Sequence, residues 1–543
     1  AMPPRYTPPQ LWLWNPRGAG GGGGRGGGGR GAQTSSAHAK PVRASISEAE
    51  QALEAGERKQ RMRELPKARA LFIQSMVQLA TAGLASDRSG CLVFAAASAA
   101  LLEVEEDEAR IAAFGQTRTD GSVLASSSWR TRQMQLLSEA MEALVAGAAA
   151  AARAQASPDE LSHLSEQAGG LQLLLSQAHE EIDQGPSALA AAERAVAMLD
   201  EAQRLHSLAT EGAALLAEGP VAAEPSVDLM RALAPALMTL GRLSLQAADA
   251  QTPSSSPLRA QGVGAVERSL ALIEEACTWC DSERGDNLPL VVEEWARLLL
   301  EASALVPAHS RDEILKRAAA KCADSLGLVG VPLAATASLL GDALRAGAEN
   351  LAAPLLAALV DPSAHSQLDD DGGLKRAEDS IRLYVCAVSE GYEKALAVSS
   401  TDIEALLAVA DVRLDCARLM LKLPAAARAA LFQSAPAPAE WITDHFYCLD
   451  FAIRNYCALG SRGVADWARA GMSARDLSDF RFNWACAHAL RGQEEAARQL
   501  LEALVHEGAL ASESELSADE DLRAYVESAW MLQLRHALGL GIN

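Results

Sequence analysis

The sequence is poor in aromatic residues and in signals for β-structure. Phe, Trp and Tyr make up only 4% of the 543 residues, whereas apolar residues as a whole make up 49%. Alanine accounts for much of that difference, and it is the residue most favourable to helix formation. Runs of Val, Ile, Thr and Tyr that alternate with polar residues, as in a half-buried strand, do not occur. The composition therefore predicts an all-α protein.

Long apolar runs are also missing. The longest uncharged stretch, residues 325–341, contains Pro332 together with several Gly, Ser and Thr residues. A membrane-spanning helix needs about 20 consecutive, mainly apolar residues. We therefore expect no membrane span in this chain.

The cysteines lack the pattern of a disulfide framework. There are nine of them, an odd number, and their spacing is irregular, which indicates a reducing compartment. Cys277 and Cys280 alone form a Cys-x-x-Cys pair, and this pair falls at the end of a predicted helix, where the helix dipole disfavours a thiolate. We expect both thiols to pack near Trp279.

Signatures of catalysis are absent as well. No phosphate-binding loop, His-Glu-x-x-His or Gly-x-Ser-x-Gly motif is present, and no two histidines have the spacing of metal ligands. We expect His179 to be solvated on a polar helix and His488 to be packed. The sequence thus predicts no catalytic residues, no cofactor and no metal ligands. An enzyme that acts through Cys277 and Cys280 is the least favoured alternative.

Charge is distributed unevenly along the chain. The net charge is −22, but the first acidic residue is Glu48. The residues before it contain six basic side chains: Arg5, Arg17, Arg25, Arg30, Lys40 and Arg43. The rest of the chain is therefore more acidic than the whole, which disfavours nucleic acid as its main ligand. It favours protein partners with basic surfaces. The alternative is that the acidity only keeps a large helical protein in solution.

Residues 1–47 have the composition of a disordered leader. They combine a proline-rich start, a glycine tract from Gly18 to Gly31 and an acid-free Ser/Ala/Arg segment, which is typical of an organelle transit peptide. The chloroplast is favoured over the mitochondrion. Two alternatives stay open: an Arg/Gly-rich RNA-binding arm, or a flexible tail on a cytoplasmic protein.

From Ser47 onwards the sequence changes to helical patterns. Ser47 followed by Glu50 has the form of a capping box and predicts a helix start. Helices of 12–25 residues then recur, separated by turns rich in Pro, Gly and Ser. Among the predicted helices are 158–181, 288–305, 402–433 and 518–538. Longer breaks divide the helical part into regions 48–250, 262–360 and 374–543.

Two stretches carry a readable repeat pattern. In 395–413, Ala395 takes the small position of one helix, Leu406 the first large position of the next, and Val409 and Ala410 follow as a large–small pair. In 480–505, Ala496, Leu500 and Ala503 follow Gly492 with the small–large–small spacing of a second helix, although Gly492 lies one residue too close to Ala496.

These stretches resemble the tetratricopeptide repeat (TPR), a helix pair with a period of about 34 residues. A weaker match lies in 48–84, where Ala68, Phe72 and Ser75 fit the second-helix pattern. Arg413 occupies a position where the family prefers Tyr. The resemblance implies an α-solenoid of antiparallel helix pairs that binds proteins in its grooves. It does not extend convincingly to residues 120–370.

Aromatic residues are concentrated towards the C-terminus, and arginines accompany them. Tyr, Trp and Arg dominate the residues that carry most binding energy in protein interfaces. The alternative is that the aromatics simply form a larger core. As candidate partner-binding residues we select Tyr447, Arg454, Trp467, Arg469, Arg481 and Trp484.

The sequence therefore predicts a scaffold, assembly factor or accessory subunit of a large organellar protein complex. Two alternatives are an accessory ribosomal or RNA-associated protein, which would use the leader, and a cytosolic acidic chaperone of a basic client.

Overall fold

The structure, a computed structural model, is helical throughout the residues that it describes. These are residues 39–539 except for 63, 83–89, 116–123, 182, 217–225, 252–256, 283–287, 330–332, 361–370, 432–443, 464–465, 468–469, 471, 473, 508, 510–515 and 518. No β-strand occurs in this part of the chain. The all-α prediction is confirmed, while the leader, apart from its last residues, lies outside the described part.

The chain divides into two units, one of residues up to 109 together with 124–276, the other of 110–123 together with 277 onwards. Eight helices belong wholly or mainly to the first unit: α1 Ala39–Arg61, α2 Leu65–Thr81, α3 Gly90–Gly115, α4 Leu124–Arg153, α5 Pro158–Glu181, α6 Gly185–Leu216, α7 Val227–Gln251 and α8 Pro257–Ser282.

The second unit contains the remaining described helices. They are α9 Leu288–Leu305, α10 Ala308–Val329, α11 Ala334–Val360, α12 Asp371–Cys386, a π-helical turn Ala387–Tyr392, α13 Glu393–Val398, α14 Ile403–Lys422, α15 Ala425–Ala430, α16 His445–Gly460, α17 Ala474–Leu490, α18 Glu494–His506, a 3₁₀ turn Arg523–Tyr525 and α19 Ala529–Gly539. Within each unit, many consecutive helices pack against each other as pairs, among them α1 with α2, α5 with α6, α9 with α10 and α17 with α18, as in an α-solenoid.

Buried serines join neighbouring helices at their closest crossings. Each donates its hydroxyl to a backbone carbonyl of the adjacent helix at 2.7–3.2 Å: Ser75 to Ala49, Ser162 to Ala202, Ser176 to Ala188, Ser269 to Ala234, Ser325 to Pro289 and Ser380 to Ala348. A serine that reaches a carbonyl across a crossing requires small side chains around it. The alanine-rich composition permits this approach.

Two glycines allow a further close crossing. A Cβ on Gly391 of the π-helical turn would lie 2.5 Å from the Cα of Gly341 in α11, so only glycine fits there. The ring of Tyr392 then covers Gly341 and is itself 1% exposed. A π-turn inserts one extra residue into a helix, and this one places Gly391 and Tyr392 side by side against α11.

Three helices end in the same hydrogen-bonded turn. After α17, Gly492 has φ of +78°, its N–H donates to the carbonyl of Ala489, and the N–H of Gln493 donates to the carbonyl of His488. This is the Schellman arrangement, which glycine favours at the left-handed position. Gln155 and Asp183 take the same position after α4 and α5, with φ of 54° and 60°.

Several predicted helix boundaries are wrong. The first helix begins at Ala39, so Ser47 lies inside it and caps nothing. The predicted helix 402–433 is broken because Leu423 is extended ahead of Pro424. The predicted helix 518–538 begins only at Ala529, where the Ser528 hydroxyl accepts from the N–H of Met531.

The repeat pattern is confirmed only as helix pairs. In the first unit, α5 and α6 have 24 and 32 residues, so one such pair is longer than a whole repeat of about 34 residues. The pair α17–α18, with 17 and 13 residues, has the expected size. Its register is shifted by one from the prediction, because Ala497, Leu501 and Leu504 are the buried positions of α18.

Arg413, which stands where the repeat pattern has Tyr, is buried like three other positions of the pattern. Ala395, Val409 and Ala410 are buried as the pattern requires, and Arg413 is 6% exposed.

The described part of the chain contains no candidate for a membrane-spanning helix, because its long helices all lack a sufficiently apolar stretch.

Two adjacent glycines of α5 provide a matched test of the close crossings. A Cβ on Gly169 would lie 2.7 Å from Cγ of the buried Leu199, whereas one on Gly170 meets nothing within 4 Å. We expect Gly169→Ala to lower the free energy of unfolding by about 1–3 kcal/mol through overpacking. Gly170→Ala should raise it by roughly 0.5–1 kcal/mol because alanine favours helix. Urea denaturation followed by circular dichroism measures both, and equal effects of the two changes would contradict the crossing.

Candidate protein-binding surfaces

A ladder of charged side chains joins distant segments of the second unit. Asp411, Asp415 and Arg418 lie along one face of α14 at helical spacing. The Asp415 carboxylate accepts from Arg345 of α11 at 2.7 Å and from Arg418 at 3.1 Å. Arg418 also donates to Asp521, near the C-terminus, at 2.7 Å. The ladder thus connects α11, α14 and the turn before α19.

Two buried tyrosines complete the ladder. Tyr392 donates its hydroxyl to Asp342, and Tyr456 donates to Asp411, both at 2.6 Å. Burial raises the pKa of Asp342 and of Asp411 above the ordinary value, although each carboxylate has a tyrosine donor and an arginine nearby. The desolvation of these carboxylates therefore outweighs the attraction of their partners.

The outward side of α16 presents aromatic rings and arginines together. Phe446 and Tyr447 are 41% and 40% exposed, and Tyr447 packs on Phe451 with ring centroids 4.7 Å apart. Arg454 and Arg413 lie over the Phe451 ring at 3.9 and 4.2 Å. We call Phe446, Tyr447, Phe451 and Arg454, with Arg413 of α14 and Arg491 of the turn after α17, the aromatic–arginine face.

Each of the three arginines of this face has a different group as its hydrogen-bond or ion-pair partner. Arg413 pairs with Glu393 at 3.0 Å, and burial lowers the pKa of its guanidinium. Arg491 lies over Phe446 and pairs with Asp450 at 2.7 Å. Arg454 donates only to the carbonyl of Asp450 and pairs with no carboxylate among the described residues. Cation–π contacts of this kind help to fix the position of a ring.

A second candidate surface is a cavity between α17, α18 and the end of α16. It is lined by aromatic and small apolar side chains, with charged groups at the edge: Gly460, Arg462, Trp467, Leu477, Phe480, Arg481, Trp484, Leu500, Ala503 and Glu507. Leu477, Phe480, Arg481 and Trp484 recur on one face of α17 at helical spacing. We call this cavity the tryptophan pocket.

The structure distributes the six predicted residues over both surfaces. Tyr447 and Arg454 belong to the aromatic–arginine face. Trp467, Arg481 and Trp484 line the tryptophan pocket, where Trp467 is 1% exposed and serves as a wall. Arg469 lies outside the described residues.

Sequence reasoning missed the other members of the face, Phe446, Phe451, Arg413 and Arg491, and, among the pocket residues, Phe480 and Arg462. The spacing of Tyr447, Phe451 and Arg454, at i, i+4 and i+7, is a signal that could have identified Phe451.

The sequence predicts that His179 is solvated and that His488, Cys277 and Cys280 are packed. His488 is 8% exposed, its Nδ1 lies 2.5 Å from the side-chain oxygen of Gln493, and its ring packs near Trp484. His179 is hydrogen-bonded to Gln184 at the surface. Cys277 and Cys280 are 9% and 7% exposed near the end of α8. The packed position of His488 is confirmed.

One group of side chains in the described part of the chain has the spacing of metal ligands: Cys486, Asp519 and Asp521. Each already has another role. Asp519 accepts from the N–H groups of Asp521 and Leu522, and so forms the turn that interrupts the predicted helix 518–538. Asp521 pairs with Arg418, and burial raises the pKa of the Cys486 thiol. We assign this group to the fold.

Comparisons with known proteins identify no family for this chain. No protein-family model matches it, and no curated protein matches its sequence.

Solved structures show distant similarity only. A circular tandem repeat protein with a novel repeat topology shares 14% identity over 93% of this chain and 96% of its own, with a TM-score of 0.26. Nro1, a hypoxic regulator of sterol synthesis described as a nuclear import adaptor, shares 14% over 70% and 95%, with a TM-score of 0.33. Naa15/Naa10 bound to HypK-THB shares 12% over 92% and 89%, with a TM-score of 0.14. Scores this low identify neither a repeat family nor a function.

The buried Asp342 carboxyl gives a test of the ladder. Burial raises the pKa of Asp342 above its ordinary value of 3.8, so the folded protein binds this proton more tightly than the unfolded chain does. The stability that the bound proton contributes is complete below pH 3.8 and is lost as the pH rises from there through the pKa of the folded state. In Asp342→Asn, the amide oxygen still accepts from Tyr392 but the charge is gone. We expect the variant to be more stable than the parent at pH 7, with a difference that shrinks towards pH 3.8.

The measurement is the free energy of unfolding of parent and variant across this pH range. Asp324→Asn removes a carboxylate that is 61% exposed in the same unit, and should change stability by less than about 0.5 kcal/mol. A less stable Asp342→Asn at pH 7 would show that attraction to Arg345 exceeds the cost of burial.

Proposed function

We propose that this chain is a protein-binding scaffold, and that it binds through its second unit. The aromatic–arginine face is the observation that carries the proposal. Phe446 and Tyr447 are large apolar side chains exposed on a unit in which Tyr384, Tyr392 and Tyr456 are buried. An exposed ring that is held rigid by arginines loses little conformational entropy on binding, which is why such groups dominate protein interfaces.

The test is capture of partners by the tagged full-length chain from a native extract. Tyr447→Ala with Arg454→Glu removes a ring and reverses a charge at exposed positions, so folding should be unaffected. Hot-spot residues contribute about 2 kcal/mol or more, so we expect the double variant to lose about 30-fold in affinity for a captured partner.

Arg475→Glu is the matched control, because Arg475 is 66% exposed on the same unit and outside the face. It should retain all partners. Retention of every partner by the double variant, at unchanged affinity, would rule out the face as the binding surface.

Partners with basic surfaces are a second part of the proposal. The net charge of −22 supports it, as does the raised pKa of Glu404, caused mainly by burial and then by Asp402, Asp342 and Asp476. A carboxyl whose pKa is raised by neighbouring carboxylates lies in a region of negative potential. Association with a basic partner should then slow steeply as salt concentration rises.

Membership of an organellar complex rests on the leader alone. A fusion of residues 1–47 to a fluorescent protein should accumulate in chloroplasts of a plant cell, and a fusion that stays in the cytosol would favour the acidic-chaperone alternative. Capture with and without nuclease separates the RNA-associated alternative: partners held through the Arg/Gly-rich leader would be lost after nuclease treatment.

A further inference from the structure

The tryptophan pocket is a preformed apolar cavity of about 260 Å³. Its walls support one another: the rings of Trp467 and Phe480 lie 4.9 Å apart, and those of Phe480 and Trp484 lie 5.8 Å apart in a stacked arrangement. Sites for drug-sized molecules have roughly 300–1,000 Å³. This volume therefore suits one inserted side chain better than a cofactor.

A glycine keeps the pocket open. A Cβ on Gly460, at the end of α16, would lie 2.8 Å from Cζ3 of Trp484, so any larger residue displaces the indole. Trp484 is only partly buried, and the small side chain of Ala503 also lines the pocket. The absence of a side chain at 460 is thus what gives the indole its position.

Charge at the edge of the pocket is opposite in sign to the chain as a whole. Arg462 and Arg481 both line it, together with a single carboxylate, Glu507. Glu507 pairs with Arg481. Arg462 pairs with no carboxylate among the described residues, although the chain has a net charge of −22. An uncompensated guanidinium beside aromatic rings recognises a carboxylate next to an apolar group.

We propose that the tryptophan pocket binds a leucine- or phenylalanine-sized side chain from an acidic segment of a partner protein, with a neighbouring carboxylate of that segment paired to Arg462. This inference rests on the proposed protein-binding function and names a second partner chemistry for it. Around α16, Gly460 lies about 140° from Tyr447 and about 180° from Phe451, so these two rings and the pocket are on different sides of the helix.

The test uses the full chain and three labelled peptides in fluorescence anisotropy at low salt. The first has a central leucine flanked on each side by glutamates, the second replaces the glutamates by lysines, and the third replaces the leucine by alanine. We expect the first to bind at least tenfold more tightly than either of the others. Equal binding of the three, preference for the lysine peptide, or no binding of any would overturn the proposal.

Variants then locate the site. Gly460→Ala should weaken binding of the glutamate–leucine peptide at least tenfold, because the displaced Trp484 fills the pocket. Gly463→Ala is its matched control, since a Cβ there meets only Asp466 at 3.9 Å, and should bind normally. Arg462→Gln should weaken binding and reduce its dependence on salt, whereas Arg475→Gln should do neither.

Other outcomes separate this inference from the proposed function. Undiminished peptide binding by Gly460→Ala would place the peptide elsewhere and refute the pocket. If no peptide binds while Tyr447→Ala with Arg454→Glu still loses captured partners, the scaffold proposal stands and the pocket proposal fails. Thermal unfolding of each variant confirms that a loss of binding does not reflect a loss of structure.

Discussion

Close approach of neighbouring helices is the constraint on which most of this structure depends. A chain with 4% aromatic residues has few large side chains with which to fill wide gaps, so its helices must cross at short distances. At these crossings a buried serine replaces a larger apolar residue and satisfies its hydroxyl on the carbonyl of the facing helix. Ser176 with Ala188 and Ser380 with Ala348 show the same device in both units.

The second unit, by contrast, also buries large aromatic side chains. Here Tyr392, Tyr456, Trp467 and Phe480 are all at most 2% exposed, and the unit needs polar partners for its buried hydroxyls. Asp342 and Asp411 serve that purpose, but the cost of burying them is offset only in part by Arg345 and other charges of the ladder. The ladder therefore follows from the use of tyrosine in the core.

The same aromatic richness produces the candidate surfaces. Phe446 and Tyr447 stay exposed on α16. The pocket forms where the rings of Trp467, Phe480 and Trp484 lie near Gly460. Both candidate surfaces carry arginines on a strongly acidic chain, so partners of the proposed scaffold would meet two kinds of electrostatic environment. Carboxylates around Glu404 favour basic partners, and Arg454 and Arg462 favour acidic ones.

Much of the helical architecture was predictable, and particular failures have identifiable causes. The helices 158–181 and 288–305 were predicted with their observed bounds, because Pro158 and the turn residues around them act locally. The helix 518–538 was not, because the carboxylate of Asp519 folds back onto the N–H groups of Asp521 and Leu522, and sequence pattern does not record that hydrogen bond. The shift of α18 by one residue has a similar origin: Ala496 and Ala497 are chemically equal, and only packing distinguishes them.

The sequence by itself determined that the chain is all-α, that its helices pair with their neighbours, and that aromatic residues and arginines gather near the C-terminus. Composition and local periodicity carry that information, since helix formation depends on residues within a few turns. Only the tertiary structure decided which aromatic side chains face outwards: Tyr447 is exposed, whereas Trp467 is buried and lines the tryptophan pocket. It also decided that Gly460 leaves room for a pocket beside Trp484. These outcomes depend on contacts between residues distant in sequence, where small differences in packing select one of several helix faces.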